Sequence, residues 1–432
     1  MKDFFNFKLL KTSYFQELIG ALSTFSAMVY IIVVHPTLLS EAGLPFGSIM
    51  TVTILITAFS TFLMGILGKI PIAVAPGMGI AAYFSFTLIQ KNQMKLEQGL
   101  FVIFLSSLSI LILNIFQIRK KILNKIPQEL IFGITSGIGL FLVTVGLKQI
   151  GLIKLNHFGL IGFNGFDITT CLLTFLGLFL IAFFEKLNIS GAFILTILLG
   201  WVISIFLGLT KVDRIVAMPP SFFPTFLLLE MPKELKYEFF KAFLSIFLVA
   251  IFDSSAGLLT LKRLLPDEAK NFDMQKALYP DAIGSTIGSL FGTTSLAIHL
   301  ESMAGLHAGA RSGFSSLIIS GLFLLCLFFY PLASSIPIFA SAPCVMAVGF
   351  LMAKELKQLI KMPLLKKIPM VLTAITMPLT MSLYQGFKVG FISLGILSLL
   401  FPQKVERSKT ILIFAILFIL EQLLVLLNFH SL

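Results

Sequence analysis

Apolar runs of about twenty residues recur from one end of this chain to the other, and nothing else in the sequence constrains the fold as strongly. A first group lies near 16–34, 47–68, 72–89, 100–117, 129–149, 168–185 and 189–208. A second lies near 239–258, 277–292, 296–310, 313–332, 339–354, 368–384 and 387–402. Each run is long enough to cross a bilayer as a helix. Lipid offers no water to stray backbone N–H and C=O groups, so a spanning segment is a helix or part of a closed barrel. These runs are continuous rather than alternating, which selects helices. The hydrophobic fraction is 57% before glycine is counted, whereas soluble chains average about 45–50% with it. The expectation is an all-α integral membrane protein of about fourteen spans. No small-residue cleavage site follows the first run, so it reads as a span rather than a signal peptide. Cys171, Cys326 and Cys344 all lie in apolar runs and read as small packing residues, not disulfides or ligands.

The basic residues test the count. With Lys2, Lys8 and Lys11 on the cytoplasmic side, every even-numbered span must be followed by a basic loop. Those loops carry Lys69, then Arg119, Lys120, Lys121 and Lys125, then Lys186. In the second group come Lys262 and Arg263, Arg311, the lysines from Lys354 to Lys367, and Lys404, Arg407 and Lys409. The net charge of +12 is therefore a cytoplasmic loop excess and calls for no nucleic acid. Seven spans is an odd number, so the second group enters the membrane with opposite polarity to the first. The expected organisation is a first inverted repeat over 1–208, an extracytoplasmic connection over 209–238 and a second repeat over 239–402. Seven-plus-seven inverted repeats are an architecture of secondary transporters. A further apolar run, 409–429, contains Glu421 and is either a fifteenth span or a helix on the membrane surface.

The third span of each group is interrupted. In KIPIAVAPGMGIAAYF, residues 69–84, Pro76, Gly77 and Gly79 break the apolar run. In TTSLAIHLESMAGLHAGARSG, residues 293–313, polar residues with Gly305 and Gly309 do the same. Interrupted segments at corresponding places in two halves point to a transporter's binding site. A break exposes backbone donors at the start of the second half-helix, and Pro76 suits the first turn of such a half-helix. The pieces before the breaks, IAVA and SLAI, are expected to be extended, which is tolerable at depth only if they pair or line a cavity.

Glu301 is an acid at bilayer depth, and such groups mark function by default. Its structural alternative is a helix-capping acid. Asp253, within FLSIFLVAIFDSSAGLL, is a second such acid; it serves the site or pairs with Arg311 or Lys262. Asp281, after Pro280, is a cap or turn acid or a functional one. His299 either hydrogen-bonds substrate, relays a proton or is simply a satisfied polar residue. His307 belongs nearer the cytoplasmic end, and His35, before Pro36, reads as interfacial. The sequence holds no HExxH, P-loop, CxxC or GxSxG, so neither a metal centre, a primary pump nor an intramembrane enzyme is indicated. A channel is disfavoured by the inverted pattern.

The motifs APGMGIAAYF, FDSSAG, PDAIGSTIGSLFGTTS and HLESMAGLHAGARSG resemble those of the nucleobase:cation symporter-2 superfamily, in its azaguanine-like branch of adenine, guanine and hypoxanthine permeases. The resemblance covers nearly the whole chain. It implies fourteen spans in two inverted repeats, with a core moving against a gate. It also implies that Glu301 and Asp253 are the principal substrate and coupling residues, that Gly79 is a binding-region glycine and that Asp281 is the ninth-span acid. The expected substrate contacts are Glu301, Asp253, Gly77, Met78, Gly79, His299 and Ser302, and the expected proton-coupling groups Asp253, Glu301 and Asp281. The implied partners are a purine nucleobase, a proton and membrane lipid, with a homodimer left open; no cofactor is implied. Two positions depart from the branch. Ala81 stands where asparagine is usual, and Ala250 where an aspartate is usual, so base specificity is open. The function expected is import of purines by proton symport in the cytoplasmic membrane.

Overall fold

In the computed structural model the described residues are 3–123, 127–155, 161–163, 167–211, 214–234, 237–265, 267–270, 272–402 and 409–429. The chain opens with α1 (Tyr14–Met28), α2 (Ile31–Ser40) and α3 (Phe46–Leu63). Then come β1 (Val74–Pro76), α4 (Met78–Ala82), α5 (Leu96–Ile115), α6 (Ile118–Leu123) and α7 (Gln128–Gln149). A small hairpin of β2 (Ile153–Leu155) and β3 (Ile161–Phe163) precedes α8 (Ile168–Lys186) and α9 (Ala192–Phe206). The second group comprises α10 (Tyr237–Leu264), α11 (Met274–Ala277), α12 (Tyr279–Leu290), β4 (Leu296–Ile298) and α13 (Ser302–His307). It continues through α14 (Gly313–Leu325), α15 (Tyr330–Ser334), α16 (Ile338–Ala353), α17 (Leu364–Thr380) and α18 (Leu383–Leu400). The last helix is α19 (Lys409–Phe429). Among the described residues nine helical segments are long and apolar enough to cross a membrane. The shorter helix α9, the helices α12 and α17 and the two broken segments fall on the remaining five expected spans.

The two interruptions meet. β1 and β4 pair antiparallel, with Ala75 opposite Ala297. Extended backbone at this depth leaves polar groups that a helix would have satisfied internally. The strand pair answers part of that need, and hydroxyls from neighbouring helices answer the rest. Thr61 Oγ1 accepts the Val74 N–H at 3.1 Å and donates to its carbonyl at 3.0 Å. Ser316 accepts the Ile72 N–H, Ser302 the Ala73 N–H and Ser285 the Leu296 N–H. Pro76 therefore corrects the sequence reading: it closes β1, and Gly77 stands at the N-cap of α4. A proline lacks the N–H that a ladder needs and suits a strand end. The next N–H, that of Gly77, donates to the Ser295 carbonyl at 3.0 Å.

Helices gather into two packed groups around this crossing. In one, α5 packs on α10 and α12, α3 on α14, and α1 on α13 and α14. In the other, α7 packs on α16, α17 and α18, and α16 on α8 and α9. Glycines let helices meet closely at chosen points: a Cβ on Gly79 would stand 2.6 Å from the Ile138 side chain, and one on Gly257 2.6 Å from the Ile298 carbonyl oxygen. The run 409–429 forms a helix packed on its neighbour. α19 returns antiparallel along α18, with Ala415 against Gly395, Phe418 near Tyr384 and Phe391, and Glu421 ion-paired to Lys388 at 2.6 Å.

Candidate functional site

The site is built where the strand crossing meets the seam between the two helix groups. Glu301 stands at the N-cap position of α13, yet its carboxylate caps nothing. Its two oxygens reach elsewhere. Oε1 accepts from the Tyr30 hydroxyl at 2.6 Å, and Oε2 lies 3.2 Å from His299 Nδ1. His299 Nε2 lies 3.3 Å from the Pro76 carbonyl, so one ring touches both broken spans. Tyr30 occupies the two-residue joint between α1 and α2, and its ring stacks on Phe193 of α9 at 4.8 Å between centroids. A side chain of one helix group thus leans on the other while holding the central carboxylate.

Asp253 comes to the same place from α10. It lies within Coulombic reach of His299 and Glu301, and a Cβ on Gly77 would sit 3.3 Å from its Oδ2. It forms no ion pair with Arg311 or Lys262 and makes no hydrogen bond to a described residue. Instead it heads a narrow cavity of about 60 Å³ between α10 and α7. Asp253, Gly257, Thr260 and Arg263 line it along one face of α10, as three- and four-residue steps on a helix must. Ile131, Phe132 and Thr135 of α7 form the facing wall, and Ile298 of β4 touches its inner end. An apolar wall opposite a carboxylate suits a flat ligand with polar edges.

The other candidates are distributed differently. Met78 and Gly79 are buried at the start of α4, beside Gly77. Ser302 is buried too, and its hydroxyl is engaged by the Ala73 N–H. Asp281 is not a partner of the central cluster. It makes a bidentate ion pair with Arg119, at 2.9 and 3.1 Å, with both side chains buried. Arg119 belongs to the loop that charge counting placed in solvent; the short helix α6 carries it inward, where the carboxylate compensates its burial. His35 is corrected likewise. It is fully buried, with Nδ1 2.8 Å from Thr53 and Nε2 3.1 Å from Thr294, because α2 continues past it to Ser40. His307 is exposed. Ala81 and Ala250 are buried and bring no polar atom to the region. Among the described residues no group of three or more His, Cys, Asp or Glu is placed to hold a metal ion.

Sequence reasoning passes over two residues. Tyr30 carries no signal inside an apolar run, since only folding shows where its hydroxyl points. Glu17 did carry one, being an acid in the first span. It is buried and accepts from the backbone N–H groups of Arg311 and Ser312 and from the Ser315 hydroxyl, so it caps the start of α14.

Residues 15–389 match the family model described as Permease family. The chain belongs to this permease family. It is 35% identical to the adenine permease AdeP of Escherichia coli K12 over 412 residues, covering 94% of this chain and 92% of that one. It is 34% identical to the guanine/hypoxanthine permease PbuG of Bacillus subtilis 168 over 406 residues, covering 91% and 92%. The resemblance read from the motifs is borne out. Among solved structures, the transmembrane domain of a cyanobacterial bicarbonate transporter, BicA, superposes with a TM-score of 0.66 at 17% identity, covering 87% of this chain and 96% of that one. At that identity the likeness is one of fold: the chain is an integral membrane protein with the inverted-repeat architecture.

Proposed function

We propose that this permease imports purine nucleobases by proton symport, with alternating access, across the cytoplasmic membrane. The observation that carries this reading is Glu301, a largely enclosed carboxylate held from two sides at the crossing of the broken spans, within Coulombic reach of the cavity-lining Asp253. A carboxylate accepts two hydrogens from adjacent ring donors in a fork, and its charge strengthens each bond. The relatives' names, adenine permease and guanine/hypoxanthine permease, supply the substrate class. Gly77, Met78 and Gly79 approach the base with backbone, and the α7 wall covers a face. Asp253 and Glu301 are neighbouring acids, so the coupling proton belongs to the cluster around Glu301 rather than to one isolated group. The cavity runs along α10 toward Lys262 and Arg263, the end expected to be cytoplasmic, which suits an inward-open state. The N-terminus then lies in the cytoplasm.

An anion carrier of the same fold is the rival reading. Two acids side by side at the crossing repel an anion, and this favours a neutral base. The test is uptake of radiolabelled adenine, guanine, hypoxanthine, xanthine and uracil in cells lacking their own base permeases, with and without a protonophore. Saturable purine uptake that collapses with the protonophore supports the proposal. Absence of any base uptake by protein present in the membrane rejects it.

A further inference from the structure

We propose that His299 is a proton-dependent latch between the two broken spans, and that the proton it shares with Glu301 is the one coupled to purine. This rests on the symport reading and names its mechanism. The Pro76 carbonyl only accepts, so His299 Nε2 bears a hydrogen where it meets that oxygen at 3.3 Å. At the other nitrogen, Nδ1 and Glu301 Oε2 stand 3.2 Å apart. An ionised carboxylate needs a hydrogen on Nδ1, which makes the ring an imidazolium. A protonated carboxyl donates to a bare Nδ1, which leaves the ring neutral. In both forms one exchangeable proton lies between ring and carboxyl, and the pair is uncharged overall.

Loss of that proton leaves an Nδ1 lone pair facing a carboxylate oxygen. Two acceptors repel, so the ring releases Glu301 or Pro76 and the tie between the spans opens. The remaining titratable groups facing His299 do not restore it. Asp253 on α10 adds negative charge beside Glu301, His35 on α2 is occupied by Thr53 and Thr294, and Tyr30 is already spent on Oε1. With the proton in place, Tyr30 and His299 fix Glu301 while using two of its roughly four lone-pair directions. The other two are left, correctly aimed, for the donors of a purine edge. The proton therefore tightens purine binding, and by linkage purine tightens proton binding. The proton enters from water on one side and leaves to the cavity on the other; no other bond changes.

The experiment is binding of adenine, guanine and hypoxanthine to the purified full-length protein across a pH series, with proton uptake followed by an indicator dye. In the wild type the Kd is expected to rise with pH, by up to about tenfold per unit, with protons taken up on binding. The His299→Gln variant keeps one donor for Glu301 at every pH. Its Kd is expected to be flat with pH, without proton uptake. Wild-type pH dependence and proton uptake in His299→Gln overturn the latch, as does purine binding by the wild type without proton uptake. A wild type that binds no purine overturns instead the symport reading. If the variant does not fold, nitrogen NMR of histidine-labelled wild type in liposomes decides. Purine must bring one histidine to the doubly protonated or proton-sharing form, and unchanged spectra overturn the proposal.

Discussion

Glu301 does what its residue type allows only because neighbours hold it. A carboxylate with its own helix start available would cap that helix, but here Tyr30 and His299 draw both oxygens toward the seam. Replacement of Glu301 by glutamine keeps the shape and removes the charge. Charge-assisted hydrogen bonds are worth about 1.5–3 kcal/mol, so purine affinity is expected to fall by about ten- to a hundredfold, with uptake lost at equal expression. Filter-binding and uptake assays on the same membranes check this, and unchanged transport would remove Glu301 from the mechanism. Tyr30→Phe leaves one carboxylate oxygen without its buried donor. The ligand-free protein is expected to lose about 1–3 kcal/mol of stability, read as a lower melting temperature in detergent.

At the scale of elements, the strand pair is the feature that hydroxyls make affordable in lipid. Thr61 satisfies both the N–H and the carbonyl of Val74, so Thr61→Val leaves two buried groups unpaired while Thr61→Ser keeps them. The valine variant is expected to be destabilised by about 2–6 kcal/mol, at about 1–3 kcal/mol per unsatisfied group, and the serine variant by far less. A thermal melt of both variants separates this from a simple packing effect. Gly257 marks the place where α10 touches β4. A Cβ there would stand 2.6 Å from the Ile298 carbonyl oxygen, and backbone cannot swing aside as a side chain can. Gly257→Ala is expected to reach the membrane and to lose purine binding, since Asp253 lies one turn away on the displaced helix.

For the whole molecule, the buried Arg119–Asp281 pair ties α6 to α12. Breaking one side of such a pair costs about 3–5 kcal/mol, whereas replacing both partners by apolar residues is often neutral. Arg119→Met is therefore expected to lower the melting temperature sharply, and Arg119→Met with Asp281→Leu to recover most of the loss. Uptake by the double variant also asks whether Asp281 takes part in coupling: transport lost from a well-folded double variant would assign it there. The antiparallel course of α19 along α18 makes a topological prediction. We propose that α19 crosses as a fifteenth span from a cytoplasmic N-terminus; a C-terminal alkaline phosphatase fusion is then expected to be active and a C-terminal fluorescent protein dark, and the reverse result rejects the span.

Much of this was legible in advance because hydropathy and loop charge are local properties. Lipid demands satisfied backbone, so run length reported the apolar helices. IAVA and SLAI were readable as extended because glycine, proline and polar residues followed each of them. Glu301 and Asp253 stood out because charge at depth is costly. Partnership was not legible. That His35 would be enclosed by two threonines, Arg119 drawn onto Asp281, or Glu17 set beneath α14 depends on distances between residues far apart in the chain. The tie from Pro76 through His299 to Glu301 and Tyr30 is of the same kind. Sequence determined which groups were costly to leave without a partner, since burial takes water away; only the tertiary packing decided which of them found one, and which partner it was.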